Sequence, residues 1–343
     1  MFKHLSVDGF RRLCGVELEL RPLCVLIGAN GSGKSSLLDV FSLLAASAQG
    51  KLDEKISELG GLAAILTQGR TQQMRFSLLM EMDDRAPVRY DLAITPRGTG
   101  HTIKENFALQ RPRGPLGVRR LPYGASEEFR KRLASPAYYH TLNVGARSPV
   151  RLPQPMRPAK LPGPDGENLV TCLYDMRETD RDRFDTVQDG LRAAFPGFQR
   201  LDFPPVAAGT LSMVWRDDRF PEGFYPHQLS EGMLRFLWLA TLLQSPGLTA
   251  ITLIDEPEVS LHPELLSLLA DLLREASQRS QVIVATHSDS LVRFLRPKEV
   301  VAVDVTEEGL AKMTWAEKLN LEKWLGEYNL DDVWRMGRLG ARA

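Results

Sequence analysis

The chain has 343 residues, enough for one large domain or two ordinary ones, and 43% of them are apolar, so a sizeable core can be buried. Its 43 Lys and Arg balance 43 Asp and Glu, which excludes a global field driving the protein onto nucleic acid or anionic lipid; any such affinity is local. Three cysteines, Cys14, Cys24 and Cys172, are too few for a disulfide framework and form no metal-ligand pair, so they read as packing residues in a reducing cytoplasm.

The opening MFKHLSVDGFRRL lacks an apolar run of signal-peptide length, and LRFLWLATLL, the longest apolar candidate, is too short to span a bilayer. The expectation is a cytoplasmic protein with no membrane insertion. Over residues 1–50, LSV, VELEL and LCVLI are short β-rich runs that end at a loop beginning with Gly28. Leu37, Leu38, Val40, Phe41, Leu43 and Leu44 then predict a helix buried on nearly every side. Residues 51–224 are rich in Pro, Gly and Arg. Antiparallel-style strands (RFSLLM, VRYDLAI, HTIKENFAL) and two helices (EEFRKRL, DRFDTVQDGLRAAF) predict an inserted α+β arm or lid there.

From 225 to 310 helix and strand alternate: LRFLWLATLL is helical, AITLI is a buried strand, PELLSLLADLLREA a helix, QVIVAT and VVAVDV further strands. That alternation predicts a mostly parallel sheet flanked by helices. Residues 311–343 read as a short helical tail, with Trp324 and Trp334 placed to dock on the body or on a partner.

Gly28, Ala29, Asn30, Gly31, Ser32, Gly33, Lys34 and Ser35 match G-x-x-x-x-G-K-[ST] in full, with Ser36 next in the same site. Backbone N–H groups must turn inward onto phosphate oxygens there, glycine permits the turn, and the helix that follows adds its positive end. Lys34 then reaches the β and γ phosphates of ATP, and the Ser35 hydroxyl binds Mg²⁺. In ITLIDEPEVSLHP an apolar strand ends in Asp255 and Glu256. Asp255 suits the metal side, and Glu256, one residue onward, suits orienting and deprotonating the attacking water. His287, after the strand in VIVATHSDS, reads as a γ-phosphate contact, and Ser230 and Glu231 make a helix start in YPHQLSEGMLRFLWLATLL.

In this order the motifs resemble the ABC-type ATPases of the RecF/SMC-like and OLD-like branch: GANGSGKS as Walker A, LSEGM as signature, LIDEP as Walker B, EVSLHP as D-loop and THS as switch histidine. The resemblance covers roughly residues 1–50 and 225–305. It implies a P-loop NTPase fold, an ABC-type α/β head with N-terminal antiparallel strands, and a homodimer in which two heads sandwich two ATP molecules. Ser230 and Gly232 would then meet the γ-phosphate held by the other copy. LSEGM departs from the LSGGQ of transporters, and Glu231 puts a negative charge at a helix end meant for phosphate. The family's Q-loop glutamine, a metal-side residue, is matched by Gln68, with Gln72 and Gln73 as competitors. The GFRRL stretch resembles an element lying by the nucleotide in relatives, which makes Arg11 or Arg12 phosphate or base contacts; a surface pair is the alternative.

Residues 97–160 hold thirteen Lys or Arg against three Glu, interleaved with Tyr123, Tyr138, Tyr139 and His140. Such a patch can neutralise the backbone of DNA or RNA while the rings stack, or it can pair with acidic parts of the protein or a partner. OLD-like relatives carry a nuclease after the ATPase. About forty residues follow VVAVDV here, too few for another α/β domain, so any nuclease chemistry is expected to come from a separate effector or nuclease subunit. The leading expectation is an ATP-hydrolysing switch in DNA repair or anti-phage defence. Its alternatives are the ATP-binding subunit of a membrane transporter and a nucleotide-sensing scaffold with little turnover.

Overall fold

The computed structural model describes residues 1–82, 85–98, 100–109, 123–207, 209–321 and 328–340. β1 (Phe2–Asp8), β2 (Val16–Glu19) and β3 (Leu23–Ile27) lead into α1 (Lys34–Ala48). α2 (Leu52–Glu58) and α3 (Leu62–Ile65) precede the meander β4 (Met74–Met82), β5 (Arg85–Arg97) and β6 (Gly100–Leu109), followed by α4 (Tyr123–Leu133) and β7 (Ala137–Tyr139). Next come β8 (Gln154–Pro155), α5 (Leu169–Thr179), α6 (Arg181–Ala194), β9 (Phe198–Asp202), β10 (Pro205–Ala207), β11 (Thr210–Leu211), β12 (Val214–Asp217) and α7 (Glu231–Gln244). The chain continues with β13 (Ile251–Asp255), α8 (Leu265–Ser277), β14 (Gln281–Thr286), α9 (Asp289–Val292), β15 (Val300–Val305), β16 (Ala311–Trp315) and α10 (Leu330–Arg335).

The chain divides into two compact units, one of residues 1–138, 249–253 and 281–343, the other of residues 139–248 and 254–280. In the first, an antiparallel sheet runs β2-β1-β4-β5-β6 and a second sheet runs β16-β15-β3-β14-β13-β7. All five residues of β3 are buried, as a central strand covered on both faces requires, and β14 and β15 both pair with it in parallel. By contrast β4 alternates, with Met74, Phe76, Leu78, Met80 and Met82 facing the core. The Gln281 amide ties the two sheets together, accepting from the Phe2 N–H at 2.6 Å and donating to the Phe2 carbonyl at 2.8 Å.

These pairings change the division expected from sequence. β4, β5 and β6 extend the sheet begun by β1, so residue 51 opens no separate arm. Residues 139–224 belong instead with α7 and α8 in the second unit. There α5 and α6 pack with those helices, and the Arg279 guanidinium donates to the Leu243 and Ser245 carbonyls that end α7. α5, unforeseen in the sequence, buries Leu169, Val170, Cys172, Leu173 and Met176. The tail expected to be helical opens with a strand, because β16 pairs antiparallel with β15. Its Trp334 is buried in the first unit. The basic run RPRGPLGVRR and Trp324 lie outside the described residues. Cys24 and Cys172 are buried and burial pushes each thiol up to about 12, as packing residues behave; Cys14 is half-buried. Among the described residues no helix is long and apolar enough to cross a membrane.

A polar cluster joins the end of α1 to the meander and α4. Glu105 accepts from Ser47 at 2.8 Å, from the Tyr90 hydroxyl at 2.8 Å and from Arg130 at 2.5 Å, while Tyr90, Phe107 and Phe129 pack edge-on or tilted around it. Burial pushes the Glu105 carboxyl up, but the three donors outweigh it and hold the group below its ordinary range. A carboxylate depressed in the folded state stabilises above its unfolded value, near 4.3, and loses that contribution as pH falls through its folded value. Glu105→Gln is therefore expected to lower stability by about 1.5–3 kcal/mol at neutral pH. In thermal melts the two proteins converge below about pH 4; a gap constant from neutral to acid would mean the ionised carboxylate is irrelevant.

Candidate functional site

The loop between β3 and α1 is shaped by close backbone approach. Gly28, Gly31 and Gly33 have φ of +154°, +76° and +116°. A Cβ on Gly28 would collide with the Val303 carbonyl oxygen of β15, whereas Gly31 faces open space. Gly33 lies against Ala311 and Leu13, 3.2 and 3.3 Å from where its Cβ would stand. The segment Phe10–Leu13 is held by reciprocal backbone hydrogen bonds and by the Ala311 N–H donating to the Arg12 carbonyl at 2.8 Å, so GFRRL walls the loop from one side.

Lys34 is buried and folds back, its ammonium donating to the Gly28 carbonyl at 2.6 Å and the Ala29 carbonyl at 3.1 Å. Ser32 is buried and its hydroxyl finds no hydrogen-bond partner among the described residues. No side chain among the described residues caps α1 at Gly33. A buried cation, an orphaned hydroxyl and an uncapped helix start all fit phosphate oxygens. Ala29 and Asn30 complete the turn, with Ser35 exposed and Ser36 half-buried on the first turn of α1.

The parallel register pairs Thr286 of β14 with Ile27 of β3, which brings His287 to the level of Gly28. His287 is exposed. Ser288 caps α9, accepting from the Leu291 N–H, and the next residue, Asp289, takes a 2.7 Å bond from Arg335 of α10. That bond holds the Asp289 carboxyl below its usual range. The tail thus braces the segment after the histidine, a contact between residues 46 apart that no local signal announces.

Arg11 has a left-handed backbone (φ +48°) and donates to Asp39 of α1 at 2.5 Å, while Arg12 donates to the Gly309 carbonyl at 2.8 Å. Both thereby tie the wall of the loop to its surroundings. Gln68 is exposed beside Thr67, whose N–H and hydroxyl bond the Gly9 and Arg11 carbonyls. Gln73 is engaged with Thr95 across the β4–β5 ladder, and Gln72 is exposed.

In the second unit Ser230 caps α7, its hydroxyl accepting from the Met233 N–H at 3.3 Å, and Ser230 and Glu231 are exposed. A Cβ on Gly232 would stand 2.9 Å from the Ser260 carbonyl, so the first turn of α7 seats directly on the loop after β13. Asp255 and Glu256 are half-buried at the end of that strand, and the loop is bracketed by two non-glycine residues in left-handed geometry, Glu256 (φ +52°) and Ser260 (φ +62°). The Ser35 hydroxyl and Asp255 carboxylate are hard oxygen donors of the kind Mg²⁺ takes.

A phosphate loop on a central parallel strand, with a histidine one step beyond the neighbouring strand, is the arrangement of an AAA-type P-loop domain. A family model described as "AAA domain, putative AbiEii toxin, Type IV TA system" matches residues 23–293, and the chain belongs to that family. No curated protein matches the chain. Among solved structures it is similar to an SMC head bound to the C-winged helix domain of ScpA, with TM-score 0.65 and 17% identity over 91% of this chain and 97% of that one. It is also similar to an SMC head with an extended coiled coil bound to the C-terminal domain of ScpA derived from Pyrococcus furiosus (TM-score 0.58, 13% identity, 95% and 98% covered). The SMC head domain from Thermotoga maritima gives TM-score 0.51 at 14% identity, over 91% and 98%.

The two loop glycines separate steric need from conformational need. Gly31→Ala carries only the left-handed cost of about 1–2 kcal/mol, so affinity for a fluorescent ATP analogue falls about thirtyfold at most. Gly28→Ala must displace β15 or the loop, and binding is expected to vanish in the same titration. Equal losses would rule out the Val303 contact as the determinant.

Proposed function

We propose that the chain is an ATP-hydrolysing switch whose heads pair on ATP, and that it works in DNA repair or anti-phage defence on nucleic acid or through a partner effector. The observation that carries hydrolysis, beyond binding, is the left-handed backbone of Glu256. Strained geometry at a non-glycine residue persists where the surroundings over-determine it, and a carboxylate just past the strand is where an attacking water needs a base.

In this reading loop N–H groups and the Lys34 ammonium hold the β and γ phosphates, Lys34 exchanging its bonds to the Gly28 and Ala29 carbonyls for phosphate oxygens. Ser35 and Asp255 would hold Mg²⁺, with Gln68 on the metal side; when bound, the ion neutralises charge building on the phosphates. Glu256 takes the proton of the attacking water and His287 donates to the γ-phosphate. Ser230 and Gly232 meet the γ-phosphate of a second copy, which makes hydrolysis a property of the pair. Arg11 and Arg12, committed to Asp39 and Gly309, serve the loop wall first and the nucleotide through it.

The basic stretch supports nucleic-acid contact only in part. Arg130, Arg132 and Lys160 pair with Glu105, Glu128 and Asp175, while Lys104, Lys131, Arg147 and Arg157 are exposed. The solved SMC heads bound to ScpA domains support a separate partner protein as the other route.

Glu256→Gln is expected to lower turnover by a factor on the order of 100 or more while trapping an ATP-dependent dimer seen by light scattering. Turnover at the wild-type rate would leave a binding scaffold. Stimulation of the wild-type ATPase by DNA or RNA that fades as salt rises is the expected signature of the exposed cations; flat rates would favour a protein effector.

A further inference from the structure

One strap of the second unit follows α7 along its whole length. Arg151, in the short 3-10 turn Pro149–Arg151, donates to the carbonyls of Pro226 at 3.0 Å, His227 at 3.3 Å and Leu229 at 3.0 Å, the residues just before Ser230. Its Nε is anchored on the Val144 carbonyl at 2.7 Å. Farther along, the Trp238 indole donates to the Gly163 carbonyl at 2.9 Å, and at the end of α7 Ser245 donates to the Lys160 carbonyl. Gln154 stiffens the strap by bonding the Pro149 and Gly166 carbonyls and the Val170 N–H.

All three carbonyls converge on one nitrogen of Arg151, Nη1, while Nε holds the Val144 carbonyl, so one planar guanidinium fixes the three oxygens relative to that anchor. An ammonium carries the charge but cannot hold these oxygens and the Val144 carbonyl with the same geometry. We infer that Arg151 is the positioning residue that sets Ser230 and Gly232 at the start of α7 for the phosphate of the second copy, so that the strap governs ATP-driven closure without touching nucleotide. This rests on the reading of α7 as the signature helix. Side chains at the exposed strap positions Arg147, Leu152, Met156 and Arg157 are thereby linked mechanically to the helix start.

The test uses the full chain with Arg151→Lys and Arg151→Gln, each alone and with Glu256→Gln. A displaced helix start is expected to lower kcat by a factor on the order of 100 for Arg151→Gln, with a smaller loss for Arg151→Lys. Affinity of the phosphate loop for a fluorescent ATP analogue stays within about twofold, and the double variant no longer forms the ATP-trapped dimer. Hydrogen exchange of the amides at 230–234 rises selectively in both variants. Wild-type kcat and exchange in both variants, or loss of nucleotide affinity in step with kcat, would overturn the inference. If Arg151→Gln fails to fold, Arg151→Lys decides by the same readouts. A wild type with no turnover would instead sink the ATPase reading, and the exchange at 230–234 would still show whether Arg151 holds the helix start.

Discussion

Everything in the first unit depends on one close approach, the Gly28 backbone against the Val303 carbonyl of β15. Only a residue without a Cβ lets the loop turn there, and only a loop so seated lets Lys34 fold back over Gly28 and Ala29 while the α1 N–H groups stay open. The same strands then set the rest. β14 beside β3 fixes the level of His287, and β16 beside β15 delivers Ala311 to Gly33. Arg11 on Asp39 and Arg335 on Asp289 are ion pairs partly open to solvent, each worth little alone. Their role is to restrict where two loop segments stand.

The head was legible in the sequence where chemistry and hydrophobic pattern coincide. LCVLI is apolar without interruption because both faces of β3 are covered, and GANGSGKS can hardly be anything but a phosphate cradle when a strand precedes it and an apolar helix follows. β14, β15, α7 and α8 were legible for the same reason. What failed was the assignment of residues 51–138. RFSLLM, VRYDLAI and HTIKENFAL alternate as antiparallel strands should, but that alternation does not say where the meander attaches, and RFSLLM pairs with β1, more than sixty residues upstream along the chain. Local periodicity fixes which face of a strand is buried and leaves the neighbouring strand unspecified. β16 was missed likewise: AKMTW is short and ordinary, and only its place on β15 makes it a strand.

The site was legible as residue types and illegible as supports. Asp255, Glu256 and His287 stand out because charged and titratable side chains are uncommon where an apolar strand ends, and Lys34 because it closes a glycine-rich loop at the start of α1. Asp39, Asp289, Arg335 and Arg151 do not, because a surface-like charge in sequence carries no sign of the group it will meet. Arg151 is the sharpest case. It sits in a stretch whose excess positive charge suggests a polyanion, and its partners are backbone carbonyls, which no sequence pattern displays.

The two units thus fix the backbone around their candidate site residues by different means. In the first, glycines let main chain meet main chain, and precision comes from what is missing. In the second, a guanidinium gathers oxygens that would otherwise spread, and two non-glycine residues, Glu256 and Ser260, stay left-handed in the loop on which Gly232 sits. A close-packed glycine contact has few alternative arrangements, so it suits a cradle that keeps one shape. Hydrogen bonds gathered on one side chain can be rearranged at modest cost, so they suit the part that the proposed switch asks to adjust, while the strained pair is held by its surroundings. Rigidity and adjustability follow from the kind of contact each unit uses.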